Sequence, residues 1–323
     1  MDLERLAGPL AGVLAERYGP GVEVRGLGRA GGGASRVTCG FEAVTAAGRA
    51  HPLILRLDGA PGALAAVPLT REAGLMRAAA AAGVPSPEVI AADGPDGPLG
   101  IPFVVMERIE GESIPRRVLR DPALAAARAE LAARCGEILA AVHRIPVDAV
   151  AGLDRADRLR SCQEVLDAIG EPHPALEFAL RRLERGRPPE RPPAVVHGDF
   201  RNGNLIVGPD GVRAVLDWEL AHLGDPMEDL GWLCAKAWRF GSDLPVGGFG
   251  TYEQLIEAYE RAGGATVDRD ELHWWEMFGV ARWGVICAMQ ARRHLSGGER
   301  SVELAVLGRR VAENEWDLLQ MLP

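Results

Sequence analysis

The sequence predicts an α+β chain in which a β-rich N-terminal lobe, residues 1–110, precedes an α-rich C-terminal lobe, residues 111–323. Three observations carry that prediction. Short apolar runs separated by glycine and proline turns fill the first lobe, long alanine-rich stretches of helical periodicity fill the second, and a compact strand-and-loop unit sits among those helices at 194–217. The chain has 323 residues, 47% hydrophobic and 25% charged, which is ordinary globular composition with enough length for two lobes and a substantial core.

Residues 2–18 alternate leucines and charges at helical spacing and predict an amphipathic leader helix. Glycines then crowd in at Gly26, Gly28, Gly31, Gly32 and Gly33, followed by Ala34-Ser35-Arg36. Past them, Val37 to Phe41 and His51 to Leu57 read as strands around a turn near Gly48. A helix is expected over 69–82, stopped by Pro85 and Pro87 before a short strand at Glu88–Ala91. The apolar run Phe103 to Glu107 is short enough for a buried strand. Asp121 suits an N-cap and Pro122 a first helical position, so Ala123 to His143 should be helical, with a second helical stretch over 157–186. Helices are expected again over 226–238, 251–262, 268–295 and 300–321, the third opened by a capping box of Asp268 and Glu271 and ended by Gly297-Gly298.

Whole-chain properties exclude several classes. The net charge of −9 and a pI near 5.4 argue against nucleic acid or an anionic membrane as main partner. Five scattered cysteines without metal-site spacing read as reduced thiols. Met1 to Pro20 interrupt their apolar residues with Asp2, Glu4, Arg5 and Glu16, and no uncharged run is long enough to cross a bilayer, so a cytoplasmic location is expected. Nothing in the sequence assigns an oligomeric state.

The stretch that carries chemistry is Val195-Val196-His197-Gly198-Asp199-Phe200-Arg201-Asn202-Gly203-Asn204, continuing to Leu216-Asp217-Trp218-Glu219. An apolar strand delivers Asp199 to a polar loop, Asn204 opens the next strand, and a hairpin turn at Pro209-Asp210-Gly211 returns the chain to Asp217. Phosphoryl transfer needs such a set. Hard oxygen ligands, an Asp carboxylate and an Asn carbonyl, suit Mg²⁺, while a second carboxylate orients the acceptor hydroxyl and takes its proton. The interval from Asp199 to Asn204 equals that between base and metal-binding Asn in protein-kinase catalytic loops. A lone His-Gly-Asp would more often be a turn. With Asn204 and Asp217-Trp218 in register, catalysis is the better reading, and His197, Asp225 and Asp229 are expected to brace the loop.

On these residues the chain resembles the aminoglycoside phosphotransferase/choline kinase superfamily, whose mark is H-G-D-x-x-x-x-N followed by a strand pair ending in D-W. Gly224-Asp225-Pro226, Asp229-Leu230, Arg71-Glu72, Val84 to Pro87 and Phe103 to Glu107 with Gly111 look most like the branch fused to acyl-CoA dehydrogenases in animals. The resemblance spans roughly residues 25–235 and implies a protein-kinase-like two-lobed fold. It further implies Mg²⁺-dependent transfer of the γ-phosphate of ATP or GTP to a small-molecule hydroxyl. Asp199 would be the catalytic base, and Asn204 and Asp217 the metal ligands. Gly31, Gly32, Gly33 and Ser35 would cover the phosphates, and Met106, Glu107 and Ile109 would line the adenine pocket. In the position of the usual phosphate-binding lysine stands Arg56, expected to pair with Glu72, and Lys236 is the only lysine of the chain. The branch favours a hydroxylated acyl thioester as acceptor. Antibiotic phosphorylation is the alternative, and a non-catalytic nucleotide-binding module a third reading. Trp274, Trp275, Phe278 and Trp283 are expected to serve mainly as core.

Overall fold

A computed structural model describes residues 3–30, 36–58 and 67–322; the glycine-rich segment Gly31 to Ser35 lies outside them. Helix α1 (Ala7–Tyr18) precedes β1 (Glu23–Arg29), β2 (Arg36–Val44) and β3 (Ala50–Asp58), then α2 (Leu69–Ala81), β4 (Val89–Asp93) and β5 (Phe103–Glu107). The five strands form one antiparallel sheet in the order β1-β2-β3-β5-β4. Strand alternation decides what each face does. Leu53, Leu55, Leu57, Phe103 and Val105 pack with Leu10 and Leu14 of α1, whereas Val104 and Met106 join a second cluster with α2. Arg56 pairs with Thr38 across the ladder and Arg36 lies two residues along, so both arginines project from the α2 face.

Helices dominate the rest of the chain: α3 (Pro115–Arg120), α4 (Ala125–His143), α5 (Arg158–Ile169) and α6 (Pro174–Arg185). Strands β6 (Ala194–Val196), β7 (Leu205–Gly208), β8 (Gly211–Val215) and β9 (His222–Gly224) come next, then α7 (Met227–Cys234), α8 (Tyr252–Arg261), α9 (Arg269–Leu295) and α10 (Val302–Met321). Strands β7 and β8 form the expected hairpin, and β6 pairs with β9. The helical region centres on α4, whose Leu131, Cys135, Ile138, Leu139 and Val142 are buried. The two regions are stitched by a backbone bond in which the Val67 N–H donates to the Glu219 carbonyl at 2.8 Å. This β-sheet region followed by a helical region is the α+β, kinase-like arrangement expected.

Three details differ from the sequence reading. The stretch 157–186 is two helices, because Gly170 ends α5 in the left-handed region (φ 70°) and Pro174 starts α6. Asp268 caps α9 through the N–H groups of Asp270 and Glu271, but the Glu271 carboxylate turns to Arg191 instead of closing a box. The reciprocal capping box is at Thr251 and Gln254, on α8. Strand β9 and helix α3 have too few residues to show periodicity and were not anticipated. Among the described residues, no helix is long and apolar enough to cross a membrane.

Close helix packing depends on Gly231 of α7: a Cβ there would lie 2.5 Å from the Trp275 carbonyl carbon and 2.7 Å from the Glu276 nitrogen of α9. Gly231→Ala should therefore lower stability by about 1–3 kcal/mol in urea denaturation. Gly74→Ala, where a Cβ on α2 meets nothing within 4 Å, should instead be neutral or stabilising by up to about 1 kcal/mol.

Candidate active site

Strand β6 delivers His197-Gly198-Asp199 into a loop that the C-terminal region holds rigidly. Asp229, fully buried on α7, accepts the His197 N–H at 2.8 Å on Oδ2 and the Gly198 N–H at 2.9 Å on Oδ1. Its Oδ2 also lies 3.2 Å from His143 Nε2, and His143 Nδ1 meets the Tyr259 hydroxyl at 2.8 Å. Burial alone would push the Asp229 carboxyl up, but His143 and the loop N–H groups outweigh it and hold it below the ordinary carboxylate value. Gly198 is required by geometry: its φ is 78°, and a Cβ would meet the Leu220 carbonyl oxygen at 2.4 Å. His197 is a brace, as expected. Its Nδ1 accepts the Asp199 N–H at 3.1 Å, which leaves Nε2–H to donate to the Leu216 carbonyl at 3.1 Å.

The Asp199 carboxylate is surrounded by donors. Asn204 Nδ2 reaches Oδ2 at 2.6 Å and the Asp199 backbone oxygen at 2.9 Å. Trp232 Nε1 donates to Oδ1 at 2.9 Å, and Arg201 Nε spans both oxygens at 3.0 and 3.2 Å. The amide nitrogen of Asn204 being so used, its Oδ1 is the atom left to ligate. Asn204 also ties the loop to the returning strand, since its carbonyl accepts the Leu216 N–H at 2.8 Å. Next in the chain, Asp217 adopts φ 67° and ψ 64°, a left-handed backbone rarely used by non-glycine residues, and presents a partly exposed carboxylate.

Arg56 joins the two regions. It pairs with Glu72 of α2, and its other terminal nitrogen lies 3.1 Å from Asp217 Oδ1 and 4.0 Å from Glu219 Oε2. Burial would lower its pKa, but Glu72, Asp217 and Glu219 more than offset that and raise it, so the guanidinium stays charged. Glu72 is 1% exposed, and a charge so deep is tolerated only with partners. Its second oxygen is taken by Arg36, which also reaches Asp58 Oδ1 at 3.2 Å and the Val67 carbonyl.

A cavity of about 440 Å³ opens between sheet and hairpin, in the range of small-molecule sites. Its lining includes the polar Arg56, Glu72, Asn204 and Asp217, the apolar Met76, Met106 and Ile109, and Glu107. The Glu107 and Arg108 N–H groups are donated to the Glu88 and Pro52 carbonyls, so along this segment the Ile109 N–H has no backbone partner among the described residues. Gly31, Gly32, Gly33 and Ser35 fall outside the described residues. One carboxylate and one amide oxygen make a small donor set for Mg²⁺, but that ion keeps several waters and takes further oxygens from phosphates, so the pair fits it. Sequence reasoning missed Trp232, Arg36 and His143. Trp232 had a usable signal, since it lies three residues after Asp229 and therefore on the same helix face.

The family model described as "Phosphotransferase enzyme family" matches residues 31–275. The chain belongs to this family. Among curated relatives, mouse acyl-CoA dehydrogenase family member 10 is 32% identical over 193 residues, 55% of this chain and 17% of its own length. Chicken acyl-CoA dehydrogenase family member 11 is 27% identical over 282 residues, 78% of this chain and 35% of its own. The chain thus spans only a minor part of either relative. Two solved structures share the fold over nearly their whole length: a spectinomycin phosphotransferase in complex with ADP and spectinomycin, at TM-score 0.67, 14% identity, 98% of this chain and 99% of that one; and a choline/ethanolamine kinase family protein from Mesorhizobium loti, at TM-score 0.64, 21% identity, 97% and 94%.

Asp229→Asn should cost at least about 1.5–3 kcal/mol, because a charge-assisted loop bond is lost where an amide N–H faces another N–H. An acid with a depressed folded-state pKa contributes stability above its ordinary value, 3.8, and loses it as pH falls below that. The gap between wild type and variant in urea unfolding should therefore narrow on acidification below about pH 4.

Proposed function

We propose that this enzyme transfers the γ-phosphate of ATP or GTP, with Mg²⁺, to the hydroxyl of a small molecule, a hydroxyacyl-CoA-type metabolite being the first candidate. The observation that carries the reading is the convergence of Asp199, Asn204 and Asp217 on one loop and hairpin, with Arg56 reaching Asp217 from the opposite region. Asp199 orients the acceptor hydroxyl and takes its proton. The acceptor oxygen forms a bond to the γ-phosphorus as the bond to the β,γ-bridging oxygen breaks, and the nucleoside diphosphate leaves. Asn204 Oδ1 and the Asp217 carboxylate would hold Mg²⁺, which supplies charge neutralisation on the phosphate oxygens. Arg56 steadies those oxygens, and Glu72 keeps Arg56 in place. The base of the nucleotide would lie against Met76, Met106 and Ile109, with the Ile109 N–H as its hinge donor and the Glu107 carbonyl beside it.

The acyl-CoA assignment draws on the names of the curated relatives and on motifs shared with their branch. Nothing in the site supplies an activated nucleophile, so direct transfer without a phosphoenzyme is the mechanism expected.

Incubation with Mg²⁺ and ATP or GTP and a mixed panel of hydroxyacyl-CoAs, aminoglycosides, macrolides and amino alcohols, read by mass spectrometry, should show one acceptor class gaining a single phosphate. Asp199→Ala should reduce that transfer by about 10²–10⁴-fold. Equal transfer by the Asp199→Ala protein would contradict the reading.

A further inference from the structure

The catalytic carboxylate is closed to an incoming hydroxyl. A carboxylate offers about four lone-pair sites. At Asp199 they meet Trp232 Nε1 and Arg201 Nε on Oδ1, and Asn204 Nδ2 and Arg201 Nε on Oδ2. The single Arg201 Nε–H bridges the two oxygens, so a hydroxyl approaching between them can donate only if that group withdraws. Trp232 is buried on α7, and Asn204 is held by its second bond to the Asp199 carbonyl and by its own backbone bond to Leu216. Arg201 is the most exposed of the three, its side chain 24% accessible, and its guanidinium lies 4.6 Å from the Trp238 ring centroid. It can swing across that ring without losing the stacking contact.

We propose that Arg201 is a specificity-determining gate. An acceptor carrying a carboxylate, phosphate or comparable anionic group draws the guanidinium off Asp199 and so opens the base to its own hydroxyl, whereas an amine-bearing acceptor cannot. This rests on the phosphotransferase reading above and names the class of acceptor that site takes. The surroundings agree with it. Two buried carboxylates of α7 and α9 are already engaged: Glu228 by His222 at 3.0 Å and Arg282 at 3.0 Å, and Glu276 by Arg239 and by the Tyr252 hydroxyl at 2.7 Å. Arg282 itself stacks on Trp232, 4.7 Å from its centroid. With these acids paired and buried, Arg201 is the accessible charge at Asp199.

The test compares three acceptor sets of matched carbon skeleton: hydroxy acids and their CoA thioesters, the corresponding diols, and amino alcohols with aminoglycosides. Phosphate transfer from MgATP is followed for wild type, Arg201→Gln and Arg201→Lys, with MgADP affinity and thermal unfolding confirming that each protein is folded. In wild type, kcat/KM should favour the anionic set over the amines by at least about tenfold, roughly the effect of one charge-assisted contact. Arg201→Gln should collapse that ratio toward one, and Arg201→Lys should retain part of it. Amines turned over as well as the anionic set, or a preference unchanged in Arg201→Gln, would overturn the gate while leaving the phosphotransferase intact. Failure of wild type to bind MgADP or to transfer phosphate to any set would remove the phosphotransferase reading and the gate with it.

Discussion

A single buried carboxylate, Asp229, sets the geometry from which the site is built. It lies where the backbone N–H groups of His197 and Gly198 would otherwise be buried without acceptors, and each such orphan costs about 1–3 kcal/mol. The same eight-residue helix carries Trp232, which donates to Asp199, and Glu228, which closes a buried pairing with His222 and Arg282. Loop backbone, the Asp199 carboxylate and the neighbouring ion pair are thus placed by one short element. That element is in turn seated against α9 through the absence of a side chain at Gly231. Asp229 and the close seating of α7 thus fix the loop backbone from below.

Across the cleft, charge does what packing does below. Glu72 is held by two arginines where the commoner arrangement would have one lysine, and Arg56 extends from it to the carboxylate that would bind metal. A planar guanidinium can serve both acids at once, which a lysine point charge on the same stem could do less well. Asp217 holds a left-handed backbone that costs of order 1–3 kcal/mol, and the Arg56 contact and the Asn204–Leu216 bond are among the interactions that offset it. Strain at that residue and at no other non-glycine but Phe240 among the described residues is consistent with a functional position.

The fold was legible wherever the signal was local. Strand runs such as Phe103 to Glu107, and helices such as 69–81 and 252–261, follow from periodicity and turn chemistry. The chemistry of 194–219 was legible because hydrogen bonding along a hairpin turns spacing in the chain into fixed placement in space. Contacts between distant segments were not. Arg36 of β2 reaches Glu72 of α2 past the intervening β3, and His143 reaches Asp229 from another helix. These depend on tertiary approach, which a single sequence records only weakly. The split of 157–186 at Gly170 was legible in principle and was overridden by the helical pattern on either side.

The most direct test of the central claim, that the cavity lined by Arg56 and Asp217 is a metal–nucleotide site, is calorimetric titration of ATP with and without Mg²⁺ into wild type and Asp217→Asn. The account predicts that Mg²⁺ tightens ATP binding to wild type by at least about tenfold, the effect of a single charged contact. It predicts that this enhancement is lost in Asp217→Asn while ATP alone still binds through Arg56 and the apolar lining of the cavity. ATP binding insensitive to Mg²⁺ in wild type, or an enhancement surviving in Asp217→Asn, would contradict it.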